Sequence, residues 1–161
     1  MYDNSKILTI LLIEDSPGDT LFIKKLLQEA GLRFDLKRAE RLSAGIGKIK
    51  LNGFDVILLD LSLPDSQGLG TLIKLNEIKP AAPVIVLTGF TDEALGVKAV
   101  KEGAQDYLIK GQIDKNILAR SIRYAIERNQ SDRRLKLHAV EWQNTFDAIP
   151  NPLFRTCEII T

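Results

Sequence analysis

The stretch that decides the fold reads Val56-Ile57-Leu58-Leu59-Asp60 and continues as Leu61-Ser62-Leu63-Pro64-Asp65-Ser66-Gln67-Gly68. An unbroken apolar run of this length is typical of a strand buried on both faces, as in parallel sheets covered by helices. The run ends on the carboxylate of Asp60, and a segment rich in turn-forming residues follows at once. Ligands of open parallel sheets bind just outside the carboxyl ends of the strands, so Asp60 stands where chemistry is expected.

The same pattern recurs along the chain. Three further apolar runs are each followed directly by polar or small residues, which are Glu14-Asp15, Thr88-Gly89 and Lys110. Because the carboxyl ends of parallel strands meet at one edge of a sheet, we expect three carboxylates, a hydroxyl and an ammonium to lie together there. A cap or a strand-end position explains any one of these residues taken singly, but not all of them at the ends of four strands.

Strand-like and helix-like segments alternate five times, which predicts a doubly wound α/β fold with a five-stranded parallel sheet and helices on both faces. The predicted strands are 7–13, 34–39, 56–59, 83–87 and 105–109, and the predicted helices are 17–30, 42–51, 69–78, 92–102 and one from 114 onward. The second strand carries charged residues and is expected near an edge of the sheet.

Apolar spacing predicts which helix faces are buried. For the first helix the predicted buried residues are Leu21, Phe22, Leu26 and Leu27. For the last helix they are Ile117, Leu118, Ile122, Tyr124, Ala125 and Ile126.

Composition excludes several classes of protein. The chain has 161 residues, 45% of them hydrophobic, which is enough for one packed domain and an extension. A net charge of +1 offers no argument for a nucleic-acid partner. Cys157 is the only cysteine, so an intrachain disulfide and a thiolate metal cluster are excluded. No apolar run approaches the roughly 18 residues of a membrane span. We expect a cytoplasmic protein with neither a nucleic-acid partner nor a membrane span.

The predicted acidic cluster calls for a cation. Like charges about 4 Å apart repel by roughly 4 kcal/mol at an effective dielectric near 20, so Glu14, Asp15 and Asp60 are costly to place together. Carboxylate ligands without histidine or cysteine suit a hard cation, and Mg²⁺ is the expected ion, with Mn²⁺ as an alternative. Such an ion can bridge a carboxylate and an incoming phosphoryl group.

The remaining residues at this edge suit phosphoryl transfer, which needs positioning and charge neutralisation more than covalent help. Lys110 supplies a positive charge for a phosphoryl oxygen, Thr88 supplies a hydroxyl donor, and Gly89 leaves room for the group. Asp60 is then the candidate nucleophile that forms an aspartyl phosphate.

The chain resembles the response-regulator receiver domain of two-component signalling, the CheY-like kind, over about residues 6–128. The resemblance rests on Glu14-Asp15, on Asp60 with Pro64 and Gly68 beyond it, on Thr88-Gly89, and on Tyr107 with Lys110. It implies a flavodoxin-like sheet with the strand order 2-1-3-4-5.

The resemblance also implies a role for each matching residue. Asp60 would accept a phosphoryl group from a phosphohistidine on a histidine kinase or a histidine phosphotransfer protein. Asp15, Asp60 and the backbone carbonyl of Ser62 would hold Mg²⁺, and Glu14 would assist through water. The protein would phosphorylate and slowly dephosphorylate itself without turning over a separate substrate, so it is not expected to be an enzyme.

The same resemblance implies a conformational switch. Thr88 and Lys110 would bind phosphoryl oxygens, and Tyr107 would turn inward when Thr88 moves. The surface formed by the fourth helix, the fifth strand and the fifth helix would then change.

Residues 129–161 differ in character from the rest. Residues 129–149 are predicted as a linker or signalling helix, in which an apolar seam recurs at 4-3-4-3 spacing: Leu135, Ala139, Trp142, Phe146 and Ile149. The stretch from Trp142 to Phe154 contains Phe146 and Ile149-Pro150-Asn151-Pro152, and it resembles the entry into a PAS sensor domain. Residues 150–161 are therefore expected to start a PAS-like module that acts in cis, such as part of a kinase. The seam and the switch surface leave homodimerisation open.

Two alternatives remain open. One is a receiver-like protein-interaction module that no longer uses phosphate; loss of the acids or of Lys110 would mark it, and both are present. The other is an aspartyl-phosphate phosphatase of a different fold. That class places a second aspartate two residues after the nucleophile, where this chain has Ser62.

Two positions are predicted to set the lifetime of the aspartyl phosphate, Ser62 and Phe90. A bulky apolar side chain at Phe90 should hinder the attacking water, so we expect a lifetime of minutes or longer. Replacing Phe90 with alanine or glutamate should shorten that lifetime, as measured by the decay of phosphorylated protein in intact-mass spectra. An unchanged decay rate in both variants would contradict the prediction.

Overall fold

The computed structural model describes residues 5–89 and 93–148, without the side chains of Glu93 and of residues 140–148. Its centre is a parallel sheet of five strands: β1 (Leu8–Ile13), β2 (Phe34–Ala39), β3 (Val56–Asp60), β4 (Val84–Thr88) and β5 (Asp106–Ile109). The strand order is β2-β1-β3-β4-β5, so the predicted doubly wound, flavodoxin-like sheet is confirmed.

Helices follow the strands along the chain. Within the described residues they are α1 (Pro17–Glu29), α2 (Leu42–Leu51), α3 (Leu69–Glu77), α4 (Glu93–Lys101) and α5 (Lys115–Ala148). The bounds of β2 are as predicted, and those of the other strands differ from the predicted ones by one residue at one or both ends. Both Asp60 and Thr88 belong to their strands. Asp60 lies opposite Leu87 and Thr88 lies opposite Ile109, so ladder pairing extends the strands onto the polar residues.

Alternation along the buried strands divides the core into two layers. Every residue of β3 and β4 is buried. On one face of the sheet, Leu12, Leu58 and Leu87 pack with α1 and α5. On the other face, Leu59 and Val86 pack with residues of α2, α3 and α4. Both faces of the sheet are therefore filled by side chains, and the ends of the strands are left for ligands.

Three residues predicted to be buried are exposed instead, which corrects the predicted helix faces. Leu21 and Tyr124 are 67% and 63% exposed, and Phe22 is also exposed. The buried stripe of α1 consists of Ile23, Leu26 and Leu27, which recur at helical spacing and leave Leu21 and Phe22 off that stripe. Tyr124 follows buried Ile122 by two residues, and so points to another side of α5.

The loop after Asp60 is more ordered than its turn-rich sequence predicts. Ser62–Leu63 pairs with Ser66–Gln67 in a short antiparallel ribbon. Gly68 follows with φ of 68°, a left-handed conformation that glycine adopts without strain, and α3 begins at the next residue.

Two short polar side chains cap the amino-terminal ends of helices. Ser16 caps α1, and its hydroxyl accepts a hydrogen bond from the Asp19 amide at 3.2 Å. Asp65, in the loop after β3, accepts from the amides of Leu42 at 2.9 Å and Ser43 at 3.0 Å, which start α2. The loop that carries Asp60 is thereby tied to a neighbouring helix.

The chain divides between Asn129 and Gln130 into two compact units. In the second unit the described residues are helical to Ala148, and the side chains from Gln130 to Ala139 are exposed. Ile149 and the predicted PAS-like segment 150–161 lie outside the described residues. The assignment of 129–149 as a linker remains a prediction.

Replacing Asp65 with alanine should lower the free energy of unfolding by about 1 kcal/mol, because α2 loses its capping carboxylate. The hydrogen bond from the Ser43 amide lowers the pKa of Asp65 below its ordinary value of 3.8. The stabilisation is therefore present above pH 3.8 and is lost as the pH falls through the lower folded-state pKa. Urea denaturation of wild type and variant at neutral and acidic pH measures both effects.

Asp35→Ala is the matched control. Asp35 is exposed, and its contact with Lys37 at 3.7 Å joins two exposed side chains. Such surface pairs add little stability, so the loss should stay under about 0.5 kcal/mol. Equal losses in the two variants would show that Asp65 does not act as a cap.

Candidate functional site

Three carboxylates meet at the carboxyl ends of β1 and β3. Glu14 and Asp15 follow the last residue of β1, and Asp60 ends β3, which pairs with β1. One carboxylate oxygen of each residue lies within 4.8 Å of the other two. Glu14 and Asp60 are buried and Asp15 is exposed. This set of oxygen ligands, open to solvent on the Asp15 side, could hold a hard metal ion.

Lys110 reaches into the same cluster from the end of β5. Its Nζ lies 2.5 Å from Glu14 Oε2, 2.9 Å from Asp19 Oδ2 and 3.4 Å from Asp60 Oδ2. The lysine side chain is only 14% exposed. Lys110 was predicted to meet a phosphoryl oxygen; in this structure the same ammonium is surrounded by carboxylates.

Burial and charge act against each other in this cluster. Burial raises the pKa of Glu14 to about 7; the hydrogen bond from Lys110 lowers it in part, and the charge of Asp60 raises it further. Burial disfavours the charged form of Lys110, but hydrogen bonds to Glu14 and Asp19 outweigh burial and raise its pKa above the ordinary value. Lys110 is thus an ammonium at neutral pH, and one positive charge faces several carboxylates, which favours an additional cation.

Asp19 is a site residue that the sequence analysis missed. It lies in the first turn of α1, four residues after Asp15, and its carboxylate contacts Lys110. The signal was present, because Ser16 and Asp19 have the spacing of a helix cap and its bonded residue, which places Asp19 at the end of α1 nearest β1.

Arg38 is a second residue that the sequence analysis missed. It lies near the end of edge strand β2, and its Nε and Nη2 donate to the backbone carbonyls of Glu14 at 3.1 Å and Asp15 at 2.9 Å. Its Nη1 also lies 3.2 Å from the Glu40 carboxylate. The guanidinium therefore fixes the loop that presents two of the three acids.

The predicted phosphoryl-binding and switch residues occupy neighbouring strand ends. Thr88 is buried at the end of β4, and its carbonyl accepts from the Lys110 amide at 2.7 Å. Gly89 follows it and is exposed. Tyr107 is half-buried in β5, and its ring lies against Gly96 of α4, where an added Cβ would stand 2.7 Å from the ring. Glycine at position 96 therefore lets the ring approach the α4 backbone.

Ser62 is exposed beside Asp60. Its amide nitrogen lies 3.3 Å from Asp60 Oδ1, and its hydroxyl donates to Gln67 Oε1 at 3.2 Å. Gln67 in turn donates to the Leu63 carbonyl at 2.6 Å, which closes the ribbon. Phe90, the other residue predicted to affect phosphoryl lifetime, lies outside the described residues.

Comparison with known proteins agrees with this geometry. The family model described as "Response regulator receiver domain" matches residues 10–123. The cell cycle transcriptional regulator CtrA of Caulobacter vibrioides is 31% identical over 150 residues, which are 93% of this chain and 61% of CtrA. The acid tolerance regulatory protein ActR of Rhizobium meliloti is 32% identical over 138 residues, 84% of this chain and 70% of ActR.

Solved structures give the same result. A response regulator receiver domain protein from Clostridium thermocellum is 31% identical, with a TM-score of 0.66, and the match covers 76% of this chain and 97% of that one. The receiver domain of Francisella response regulator 1452 is 26% identical with a TM-score of 0.66, covering 75% and 98%. The chain belongs to the response regulator receiver family.

Two further findings concern the length of the match and the helices. The chain spans about three fifths of the length of CtrA, one of the curated relatives that it matches. Across the described ranges, 5–89 and 93–148, the helices lack the combination of length and apolar character needed to cross a bilayer.

Replacing Arg38 with alanine should lower the free energy of unfolding by about 1–2 kcal/mol, because two loop carbonyls lose charge-assisted hydrogen bonds. Arg33→Ala, at an exposed arginine just before β2, is the control and should change stability by under about 0.5 kcal/mol. Urea denaturation at neutral pH compares them. Equal stability of the two variants would mean that the guanidinium does not hold the loop.

Proposed function

We propose that this protein is a phosphoacceptor switch in a two-component phosphorelay, in which Asp60 receives a phosphoryl group from a phosphohistidine. The donor would be a histidine kinase or a histidine phosphotransfer protein. One observation carries the proposal: a buried aspartate at a strand end stands beside two further acids and within 3.4 Å of a lysine ammonium. Membership of the receiver family supports the same role.

The proposed step is a transfer between two side chains. An oxygen of the Asp60 carboxylate attacks phosphorus, the phosphorus–nitrogen bond of phosphohistidine breaks, and the imidazole nitrogen leaves with its electron pair. The product is an acyl phosphate on Asp60 and a free histidine. In the later decay step, water attacks phosphorus and gives up a proton to solvent, and the bond between phosphorus and the aspartyl oxygen breaks. The products are the Asp60 carboxylate and inorganic phosphate.

The acids fit a divalent cation. Asp15, Asp60 and the backbone carbonyl of Ser62 would hold Mg²⁺, or Mn²⁺ in its place, with Glu14 acting through water. The cluster of oxygen ligands without nitrogen or sulfur supports this assignment. When bound, the ion would neutralise charge on the transferring phosphoryl oxygens.

Lys110 and Thr88 would bind the phosphoryl oxygens once the group is on Asp60. Lys110 keeps its positive charge at neutral pH, because its carboxylate contacts raise its pKa. The hydrogen bond between the Lys110 amide and the Thr88 carbonyl holds these two strand ends side by side. Gly89, next to Thr88, would leave room for the group.

The proposed switch is the face formed by α4, β5 and α5. Thr88 would follow the phosphoryl oxygen, and the Tyr107 ring would turn inward from its place against Gly96. Val97 and Val100 of α4 are 57% and 52% exposed, and Tyr124 of α5 is 63% exposed, so the two helices of this face carry exposed apolar side chains that a partner could cover. A change in Tyr107 would alter what this face binds.

For the output we propose a PAS-like or kinase module in cis, supported by the sequence from Trp142 to Phe154 alone. Homodimerisation through the switch face or the helical seam belongs to the same proposal. The protein would act in the cytoplasm and turn over no separate substrate, so it would be a switch and not an enzyme.

Incubation with acetyl phosphate or phosphoramidate and Mg²⁺ should add about 80 Da to the intact wild-type protein, the mass of one phosphoryl group. Asp60→Asn should show no gain, because an amide cannot form the acyl phosphate. Asp35→Asn is the matched control: this exposed aspartate lies on β2, outside the acidic cluster, and should leave the gain unchanged.

Omitting Mg²⁺ in the presence of a chelator should abolish the gain in every sample. A wild type that binds Mg²⁺ but gains no mass would favour a receiver-like module that binds partners without phosphate. Continuous release of product from p-nitrophenyl phosphate would instead favour a phosphatase.

A further inference from the structure

Asp19 carries an inference beyond the proposed phosphoacceptor role. Its carboxylate lies 2.9 Å from the Lys110 ammonium, and its side chain is 45% exposed at the rim of the site. We propose that Asp19 is a positioning residue for phosphoryl transfer, which holds the Lys110 ammonium beside Asp60 but out of a close ion pair with it. This inference rests on the proposed function of Asp60.

The donor geometry of Lys110 supports this role. An ammonium has three N–H donors, and the three carboxylates around Lys110 lie at unequal distances. Glu14 at 2.5 Å and Asp19 at 2.9 Å are hydrogen-bonded, whereas Asp60 at 3.4 Å is at the limit of a hydrogen bond. The two shorter contacts therefore keep the positive charge close to the nucleophile, and they leave only a weak interaction between Lys110 and the Asp60 oxygen.

Asp19 is held in place by the start of α1. Its backbone amide donates to the Ser16 hydroxyl, and the Ser16 amide donates to Glu14 Oε1, at 3.2 Å in each case. The two carboxylates that bond Lys110 are thus connected through one short segment of backbone. Their spacing is set by the helix cap, which makes the position of the ammonium reproducible.

Asp19 stands apart from the acids that could hold a metal. Among the described residues, the oxygens within 4.8 Å of one another come from Glu14, Asp15 and Asp60. Replacing Asp19 therefore leaves that set of ligands complete. Without Asp19, Glu14 still occupies one N–H of Lys110, and the nearest remaining carboxylate for the freed N–H is that of Asp60, at 3.4 Å. A close ion pair there would weaken Asp60 as a nucleophile.

Three variants test the proposal. Asp19→Ala removes the acceptor, Asp19→Asn keeps an acceptor oxygen without the charge, and Glu29→Ala is the matched control. Glu29 lies at the other end of α1, and its carboxylate pairs with the exposed Lys25 ammonium at 3.9 Å, away from the site. Urea denaturation establishes that each variant is folded under the conditions used.

The first readout is the rate of mass gain from acetyl phosphate at saturating Mg²⁺. Asp19→Ala should react at least about fivefold more slowly than wild type, since small misplacements of a catalytic group are costly in rate. The rate for Asp19→Asn should lie within about twofold of the wild-type rate, and the rate for Glu29→Ala should equal it. An unchanged or faster Asp19→Ala would overturn the proposal; a faster rate would mean that Asp19 acts by repelling the anionic donor.

The second readout needs no phosphate. In nitrogen-15 NMR spectra at slightly acidic pH, the Lys110 ammonium, assigned by its loss in Lys110→Met, should exchange slowly with water in wild type. Asp19→Ala should shift this signal and speed its exchange at least about threefold, and Glu29→Ala should leave it unchanged. A signal that is the same in Asp19→Ala and wild type would overturn the proposed contact.

The two readouts separate the two proposals. A wild type without mass gain removes the phosphoacceptor role and the kinetic role of Asp19 with it, whatever the NMR signal shows. A normal mass gain with equal rates in all variants removes the role of Asp19 alone.

Discussion

The contact of one lysine ammonium with several carboxylates is the interaction on which the functional end of this molecule depends. Lys110 lies within hydrogen-bonding distance of Glu14 and Asp19 and close to Asp60, while its own side chain is largely buried. One positive charge cannot balance this number of acids, so the cluster keeps an excess of negative charge that a divalent cation can neutralise. The same imbalance that makes the cluster costly in the folded protein makes it able to bind a cation.

The fold supplies the conditions for this cluster. Apolar side chains fill both faces of the central strands, so charged groups are accommodated only where the strands end and solvent begins. Parallel pairing then brings the carboxyl ends of β1, β3, β4 and β5 to one edge. Residues far apart in sequence, such as Glu14 and Lys110, meet there because each strand contributes one polar end.

Residues outside the cluster hold its loops in place. Arg38 on the edge strand bonds the carbonyls of Glu14 and Asp15, and Asp65 in the loop after β3 caps α2. Ser16 connects the acids of β1 to the start of α1. Each contact joins a loop of the site to a rigid element next to it. A change at Asp60 therefore acts on loops that are already connected to the helices around the sheet.

The sequence by itself determined the doubly wound fold and the residues at the strand ends, because apolar runs that end on acids, Thr88 or Lys110 are local patterns. It predicted β2 and α2 with the observed bounds. The buried side of each helix was harder to predict from the sequence, because Leu21, Phe22 and Tyr124 are apolar but lie off the buried stripes. Only the tertiary structure decided that Asp19 and Arg38 belong to the site. The spacing from Ser16 places Asp19 at the end of α1 nearest β1, but its contact with Lys110 and the contacts of Arg38 with the loop after β1 depend on how distant parts of the chain pack.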